Sequence, residues 1–111
     1  MHYQKVNNLK QIAEDVCKVD FTLKSNKRQV VNARAICYDI LRNKEYMTVS
    51  EIGRHFNKHH ATVLVTLKNL KYMLMSDAQM RRDSEKIEAL WSGVSGDFDE
   101  AKPVFIKKEL K

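Results

Sequence analysis

The sequence predicts an all-α protein, a bundle of five helices, and two observations support this prediction. The 111-residue chain has only three glycines and one proline, which is too few turn-forming residues for an all-β fold with many tight turns. Its apolar residues recur at steps of three and four positions in five separate segments, the spacing of a helix that buries one face. The length suits a single domain, and 43% hydrophobic with 31% charged residues is a globular composition.

The first two helices are predicted over residues 3–19 and 28–42. The first has an apolar stripe formed by Val6, Leu9, Ile12, Ala13 and Val16. The second has a broader apolar side, typical of a central core helix, formed by Val30, Val31, Ala33, Ile36, Cys37, Ile40 and Leu41. Between them lies the polar and basic segment FTLKSNKRQ, in which Ser25 and Asn26 are candidate N-caps for the second helix.

The third and fourth helices are predicted to form a pair joined by a tight turn. The sequence TVSE at residues 48–51 has the hydroxyl and carboxylate spacing of a capping box, so it predicts the start of a short helix that ends near Phe56. A turn at Asn57 and Lys58 then leads into a long helix over residues 59–76. Its buried stripe is predicted to contain Val63, Leu67, Leu70 and Leu74.

The fifth helix is predicted over residues 77–91 and completes the domain. Its expected buried residues are Met80, Ile87, Leu90 and Trp91. The remaining residues, 92–111, contain two Ser-Gly pairs and the lone proline, Pro103. We therefore expect one domain over residues 1–91 and a flexible tail over residues 92–111.

Positive charge is concentrated in two windows of the chain, whose formal net charge is +6. No acidic residue occurs between Asp20 and Asp39, or between Glu51 and Asp77. The cationic residues of these windows are Lys24, Lys27, Arg28 and Arg34 in the first, and Arg54, Lys58, Lys68 and Lys71 in the second. Two acid-free basic windows favour a polyanionic partner such as nucleic acid.

The short capped helix, the turn and the long helix together predict a helix-turn-helix. In that motif the N-terminal residues of the second helix reach base edges in the DNA major groove. Here those residues are Lys58, His59, His60, Ala61 and Thr62. Histidine and threonine hydrogen-bond with base edges, while alanine and threonine methyls contact thymine methyls. The spacing therefore favours double-stranded DNA as the partner.

Two alternatives remain for the same histidine-rich segment. The first is a metal site from His55, His59 and His60, although the predicted turn separates His55 from the other two. The second is a solvated helix start on a structural or protein-binding bundle. An enzyme is not expected, because no nucleophile, phosphate loop or carboxylate pair accompanies the histidines, and no cofactor or nucleotide is expected.

Cysteine usage and hydropathy favour a cytoplasmic protein, and the expected binding of DNA would make it nucleoid-associated. Cys17 and Cys37 lie in helical apolar patterns without CxxC spacing, as expected of two reduced thiols in a core. The N-terminal segment MHYQKVNNLKQ has no apolar run typical of a signal peptide. No apolar run approaches the length of a membrane span, so no membrane partner is expected.

Two segments, KSNKRQVVNARAICYDILR and TVSEIGRHFNKHHATVLVTLKNL, resemble the C-terminal DNA-binding domain of the bacterial replication initiator family, DnaA. That family has a basic loop of the type KSRKR, a helix with an ARQIA-like start, a (S/T)xxEIG…F segment and the signature (R)DH(S/T)TV. The resemblance implies a TrpR-like five-helix fold with a central helix-turn-helix. It also implies sequence-dependent binding of double-stranded DNA, in replication origin recognition or its modulation.

The resemblance and the basic windows together assign candidate DNA contacts. The candidates for base contact are His59, His60, Ala61, Thr62 and Asn26. The candidates for contact with the DNA backbone are Lys24, Ser25, Lys27, Arg28, Arg34, Arg54, Lys58, Thr66 and Lys68. Val63 also matches the signature but is expected mainly in the core.

The chain departs from the family pattern at three of these or neighbouring positions. The minor-groove arginine of the family is Asn26 here, its base-reading aspartate is His59, and the glutamine after the ARQ arginine is Ala35. Because an aspartate that accepts from a cytosine amino group cannot be replaced by a histidine without a change of base preference, we expect a preference that differs from the family's usual DNA box.

The chain also contains no GxxxxGK(S/T) phosphate loop, so we expect a free-standing version of the domain, as in a phage or mobile element. Other uses of the same fold remain open, namely a transcriptional regulator, or a protein-interaction module that docks replication proteins. We expect a monomer or a weak dimer.

Overall fold

The structure is a computed structural model, and it describes residues 3–23, 25 and 27–95. It has five helices, α1 (Tyr3–Cys17), α2 (Arg28–Asn43), α3 (Val49–Phe56), α4 (His60–Ser76) and α5 (Ala78–Ser95). No strand occurs in this part of the chain. The predicted all-α class and the five predicted helices are therefore confirmed.

Helix α2 is the centre of the bundle and packs against each of the other four helices. Its buried residues are Val30, Ala33, Ala35, Ile36, Cys37, Tyr38, Ile40 and Leu41. Burying one large aliphatic side chain contributes roughly 1.5–3 kcal/mol relative to leaving it exposed, so the broad apolar side of α2 accounts for much of the core. The same burial raises the pKa of the Tyr38 hydroxyl to about 12.

Helices α1 and α5 pack against α2 and against each other. Helix α1 buries Val6, Leu9 and Ala13, and α5 buries Met80, Ile87 and Trp91. The prediction that Leu90 is buried is wrong, since 48% of this residue is exposed. With 100° between successive helical residues, Leu90 points roughly 80° away from the face shared by the three buried residues.

Two helix boundaries differ from the prediction by more than one residue. Helix α1 ends at Cys17 rather than at residue 19, because Lys18 adopts a left-handed conformation with φ of 60°. Helix α5 continues to Ser95, past the predicted domain end at residue 91. The rest of the predicted tail, residues 96–111, lies outside the described residues.

Lys27, rather than the predicted Ser25, is the N-cap residue of helix α2, and the Lys27 side chain makes no capping hydrogen bond. The Ser25 hydroxyl instead accepts a hydrogen bond from the Lys27 N–H at 3.2 Å, within the loop that precedes the helix. Asn26, the other predicted cap, lies outside the described residues.

The predicted capping box at the start of α3 is confirmed. The Thr48 hydroxyl accepts from the Glu51 N–H at 3.2 Å, and the Glu51 carboxylate accepts from the Thr48 N–H at 3.0 Å. Met47, just before the cap, is buried, whereas Tyr46 is 82% exposed. The buried Met47 therefore anchors the chain entering α3, as expected of the hydrophobic residue that precedes a capping box.

Helix α3 ends in a tight turn that sets the direction of α4. Asn57 has a left-handed conformation (φ 55°, ψ 47°), and the Lys58 N–H donates to the Gly53 carbonyl at 2.8 Å. Asparagine tolerates this conformation better than most residues with a side chain. A β-carbon at Gly53 would overlap the Lys58 carbonyl oxygen, so the turn can close this tightly only with glycine at that position.

We expect Gly53→Ala to lower the free energy of unfolding by roughly 1–3 kcal/mol. The obstacle is a backbone oxygen that cannot rotate away, so the overlap outweighs the better helix propensity of alanine. Urea denaturation followed by circular dichroism measures the change. The control is Ser50→Ala, at an exposed position of the same helix, and equal stability of the two variants would contradict the prediction.

Candidate nucleic-acid interface

The start of α4 displays two stacked histidines. His59 is the N-cap residue, and its Nδ1 accepts a hydrogen bond from the Ala61 N–H at 3.1 Å. The rings of His59 and His60 lie 4.3 Å apart at an angle of 29°. Both residues, with Ala61 and Thr62, are exposed. The structure thus brings together four of the five predicted base-contacting residues, and the fifth, Asn26, lies outside the described part.

The exposed face of α4 continues beyond the residues that the sequence singled out. Leu64 and Val65, one turn after His60 and Ala61, are 42% and 55% exposed, and Lys68 follows on the same side. The periodic pattern did not reveal that these two apolar residues are exposed, because a helix this rich in apolar residues has more than one candidate buried stripe. The sequence signal that could have indicated their exposure is their spacing, since they follow His60 and Ala61 by four residues and so lie on the same side of the helix.

A cavity of about 150 Å³ lies between α4 and α2. It is lined by four predicted backbone- or base-contacting residues, Arg34, Lys58, Thr62 and Thr66, together with Val31 and Tyr38. The Thr66 hydroxyl donates to the Thr62 carbonyl at 2.9 Å. An arginine, a lysine and threonine hydroxyls around one opening suit a phosphate oxygen.

A second, more open depression of about 470 Å³ lies at the turn between α3 and α4. Arg54, Lys58, His59 and His60 are among its lining residues. Lys58 therefore lies between the two depressions, and no aspartate or glutamate occurs between Glu51 and Asp77. This surface has cations at the positive end of a helix dipole, which favours anions.

Arg34 connects the basic loop to α2. Its Nη2 donates to the Ser25 carbonyl at 2.6 Å, while Lys27 is exposed. Arg28 lies instead 3.7 Å from the Asp77 carboxylate, although its side chain is 76% exposed. An exposed ion pair of this length contributes little, so Arg28 is free to turn toward another anion. Lys24 lies outside the described residues.

Lys10 of α1 contacts the end of α3, just before the turn. Its Nζ donates to the His55 carbonyl at 2.5 Å and lies 4.6 Å from the centre of the Phe56 ring. Partial burial lowers the pKa of the Lys10 ammonium. The lysine thus places a positive charge at the C-terminus of α3, where the helix dipole favours one. No local sequence pattern indicates this contact.

The predicted alternative of a metal site finds no support in the described residues. Within residues 3–23, 25 and 27–95, no three His, Cys, Asp or Glu side chains are grouped to hold a metal ion. The His55 ring makes an edge contact with Tyr3 at 5.1 Å, apart from the stacked pair. In the same part of the chain, no helix is both long and apolar enough to cross a membrane.

A match to a known protein family covers the same part of the chain. The helix-turn-helix of the bacterial DnaA protein matches residues 9–69, more than half of the chain. The chain belongs to this DnaA helix-turn-helix family. The match covers α2, α3 and most of α1 and α4, so the family region contains the turn, the two depressions and the basic loop. The resemblance inferred from the sequence is confirmed.

Three curated relatives of this DnaA-family chain are each named chromosomal replication initiator protein DnaA. The Bacteroides thetaiotaomicron protein is 40% identical over 68 residues, which are 60% of this chain and 14% of the relative. The Mycoplasma genitalium and Mycoplasma pneumoniae proteins are 30% and 32% identical in alignments 76 residues long, which cover 63% of this chain and 17% of each relative. The chain therefore spans less than a fifth of these relatives' length. No solved structure matches the chain.

We expect Lys10→Met to destabilise this DnaA-family domain by about 1–2 kcal/mol, since it removes a charged hydrogen bond and a cation–π contact while keeping the apolar stem. Thermal unfolding of the variant measures the loss. Lys86→Met, at an exposed position of α5, is the matched control. A Lys10→Met protein as stable as this control would show that the lysine does not support the turn.

Proposed function

We propose that this protein binds double-stranded DNA through α3 and α4, with the start of α4 in the major groove. The observation that supports this most strongly is the juxtaposition at that helix start. Exposed His60 and Thr62 lie beside Arg34 and Lys58, on a surface without acidic side chains of its own. Neutral polar groups flanked by cations match a base edge flanked by phosphates.

The contacts divide into two classes. His59, His60, Ala61 and Thr62 face base edges, and the exposed Leu64 and Val65 extend this surface toward thymine methyls. The residues assigned to the DNA backbone are Ser25, Lys27, Arg28, Arg34, Arg54, Lys58, Thr66 and Lys68. Lys24 and Asn26 keep their predicted backbone and base contacts as members of the basic loop.

The cellular role that we propose is recognition of a replication origin, or modulation of its use, in the cytoplasm. It is supported by family membership and by the name that the relatives share. The domain acts by binding rather than by catalysis, as one copy or a weak dimer. A genome-wide binding map tests the role, because peaks at an origin support it and peaks confined to promoters favour a transcriptional regulator.

Binding is expected to weaken steeply with salt. If about five phosphates are neutralised, the plot of log affinity against log salt concentration has a slope of roughly −4 to −5. Fluorescence anisotropy titrations of a labelled duplex at several salt concentrations give this slope. A slope near zero would rule out the proposed electrostatic contacts.

Base and backbone contacts are expected to respond differently to substitution. Thr62→Ala costs roughly 1–3 kcal/mol at the preferred site, and less at other sequences. Lys27→Ala weakens binding to all sequences alike and reduces the salt slope by about one. Titrations with the duplex selected from a random pool and with a scrambled duplex measure both effects.

Lys86→Ala is the control for these two variants, because it removes the same charge from an exposed position of α5. A Lys27→Ala variant that loses no more affinity than this control would show that the loop does not contact DNA. Equal losses of Thr62→Ala on both duplexes would show that Thr62 reads no base.

A further inference from the structure

The N-cap hydrogen bond of α4 fixes the chemical form of the His59 side chain. Its Nδ1 accepts from the Ala61 N–H at 3.1 Å, and a nitrogen that accepts in this way carries no proton. In the neutral imidazole the proton then resides on Nε2. The ring edge opposite the helix is therefore a hydrogen-bond donor.

The orientation of this ring is restricted from two sides. The capping bond holds one edge against the helix backbone, and the His60 ring covers one face at 4.3 Å. His59 is exposed at the end of α4 that faces DNA in the proposed complex. Its Nε2–H is thus presented outward, next to the His60 side chain.

The two charged neighbours of His59 are better suited than His59 to bind phosphate, so a base is the more informative partner for His59. Arg54 and Lys58 line the same depression, and their side chains suit the phosphates of the adjoining backbone. A neutral donor adds little to phosphate binding beside two cations. Its hydrogen-bond polarity becomes informative only against a base edge, where donors and acceptors differ from base to base.

We propose that His59 determines specificity by donating from Nε2–H to an acceptor in the major groove, with guanine preferred and cytosine rejected at the contacted position. Guanine presents two acceptors there, O6 and N7, whereas cytosine presents an amino donor. The inference rests on the proposed function and deepens it. It assigns His59 as the hydrogen-bond donor in one base contact, because the helix cap leaves the proton on Nε2.

Two nearly isosteric variants separate donor from acceptor at this position. In His59→Asn the side-chain oxygen can cap the helix while the amide group donates outward. In His59→Asp one oxygen can cap while the other can only accept. Both residues are good N-caps, so both variants are expected to fold, and their melting temperatures verify this.

Selection of duplexes from a random pool with each protein identifies the contacted position. Titrations with the four possible bases at that position then give affinity ratios, which cancel the uniform loss caused by the aspartate charge. We expect the wild type and His59→Asn to prefer guanine over cytosine by about tenfold. We expect His59→Asp to reverse this preference.

Identical base preferences for the asparagine and aspartate variants at every position would overturn the inference and leave the proposed function intact. Failure of the wild type to bind any duplex at low salt would overturn the proposed function, and this inference with it. The two failures are therefore distinguishable from the wild-type titration alone.

The premise is testable without DNA. In alkaline buffer, two-bond ¹H–¹⁵N correlation spectra of the free protein distinguish the two neutral tautomers of each histidine. We expect His59 to be protonated at Nε2. A spectrum that shows the proton on Nδ1 would mean that this nitrogen cannot accept the capping hydrogen bond, and it would overturn the inference.

Discussion

The close approach of the α3 helix to the turn that follows it is the constraint on which the proposed DNA-binding surface depends. The Lys58 carbonyl lies where a side chain at position 53 would begin, so only glycine lets the turn close. Asn57 adopts the left-handed conformation that the turn requires, and Lys10 donates to the His55 carbonyl in the last turn of α3. Because α4 begins directly after this turn, its direction and the position of His59 follow from the same few backbone atoms.

In the proposed complex, affinity and specificity come from different residues of this surface. Lys58 and Arg34 supply charge around the depression between α2 and α4, and charge of this kind attracts any duplex. The start of α4 supplies groups of defined hydrogen-bond polarity, and these distinguish one base pair from another. The same backbone N–H that stabilises the helix start also determines which edge of His59 faces outward, so the helix start and the proposed base contact depend on one hydrogen bond.

Local sequence patterns predicted the helices and the turn. They did not predict contacts between residues that are far apart in the sequence. Periodicity and the Thr48 capping box predicted all five helices and the turn, since these depend on neighbours a few residues apart. The Lys10 bond to the His55 carbonyl spans 45 residues, and no local pattern encodes it. Leu90 was misplaced because a three-residue step also fits a helical stripe. The capping role of His59 was missed because histidine is not a preferred N-cap.

The hydrogen bond from Arg34 to the Ser25 carbonyl has a mechanical consequence. Arg34 extends from the central helix, so the beginning of the basic loop is attached to the most deeply packed element of the molecule. The loop anchor and α4 are therefore both attached to the central helix. In the proposed complex the DNA then deforms to fit the protein, and sequences whose groove width already matches the spacing between the loop and α4 incur the smallest elastic cost.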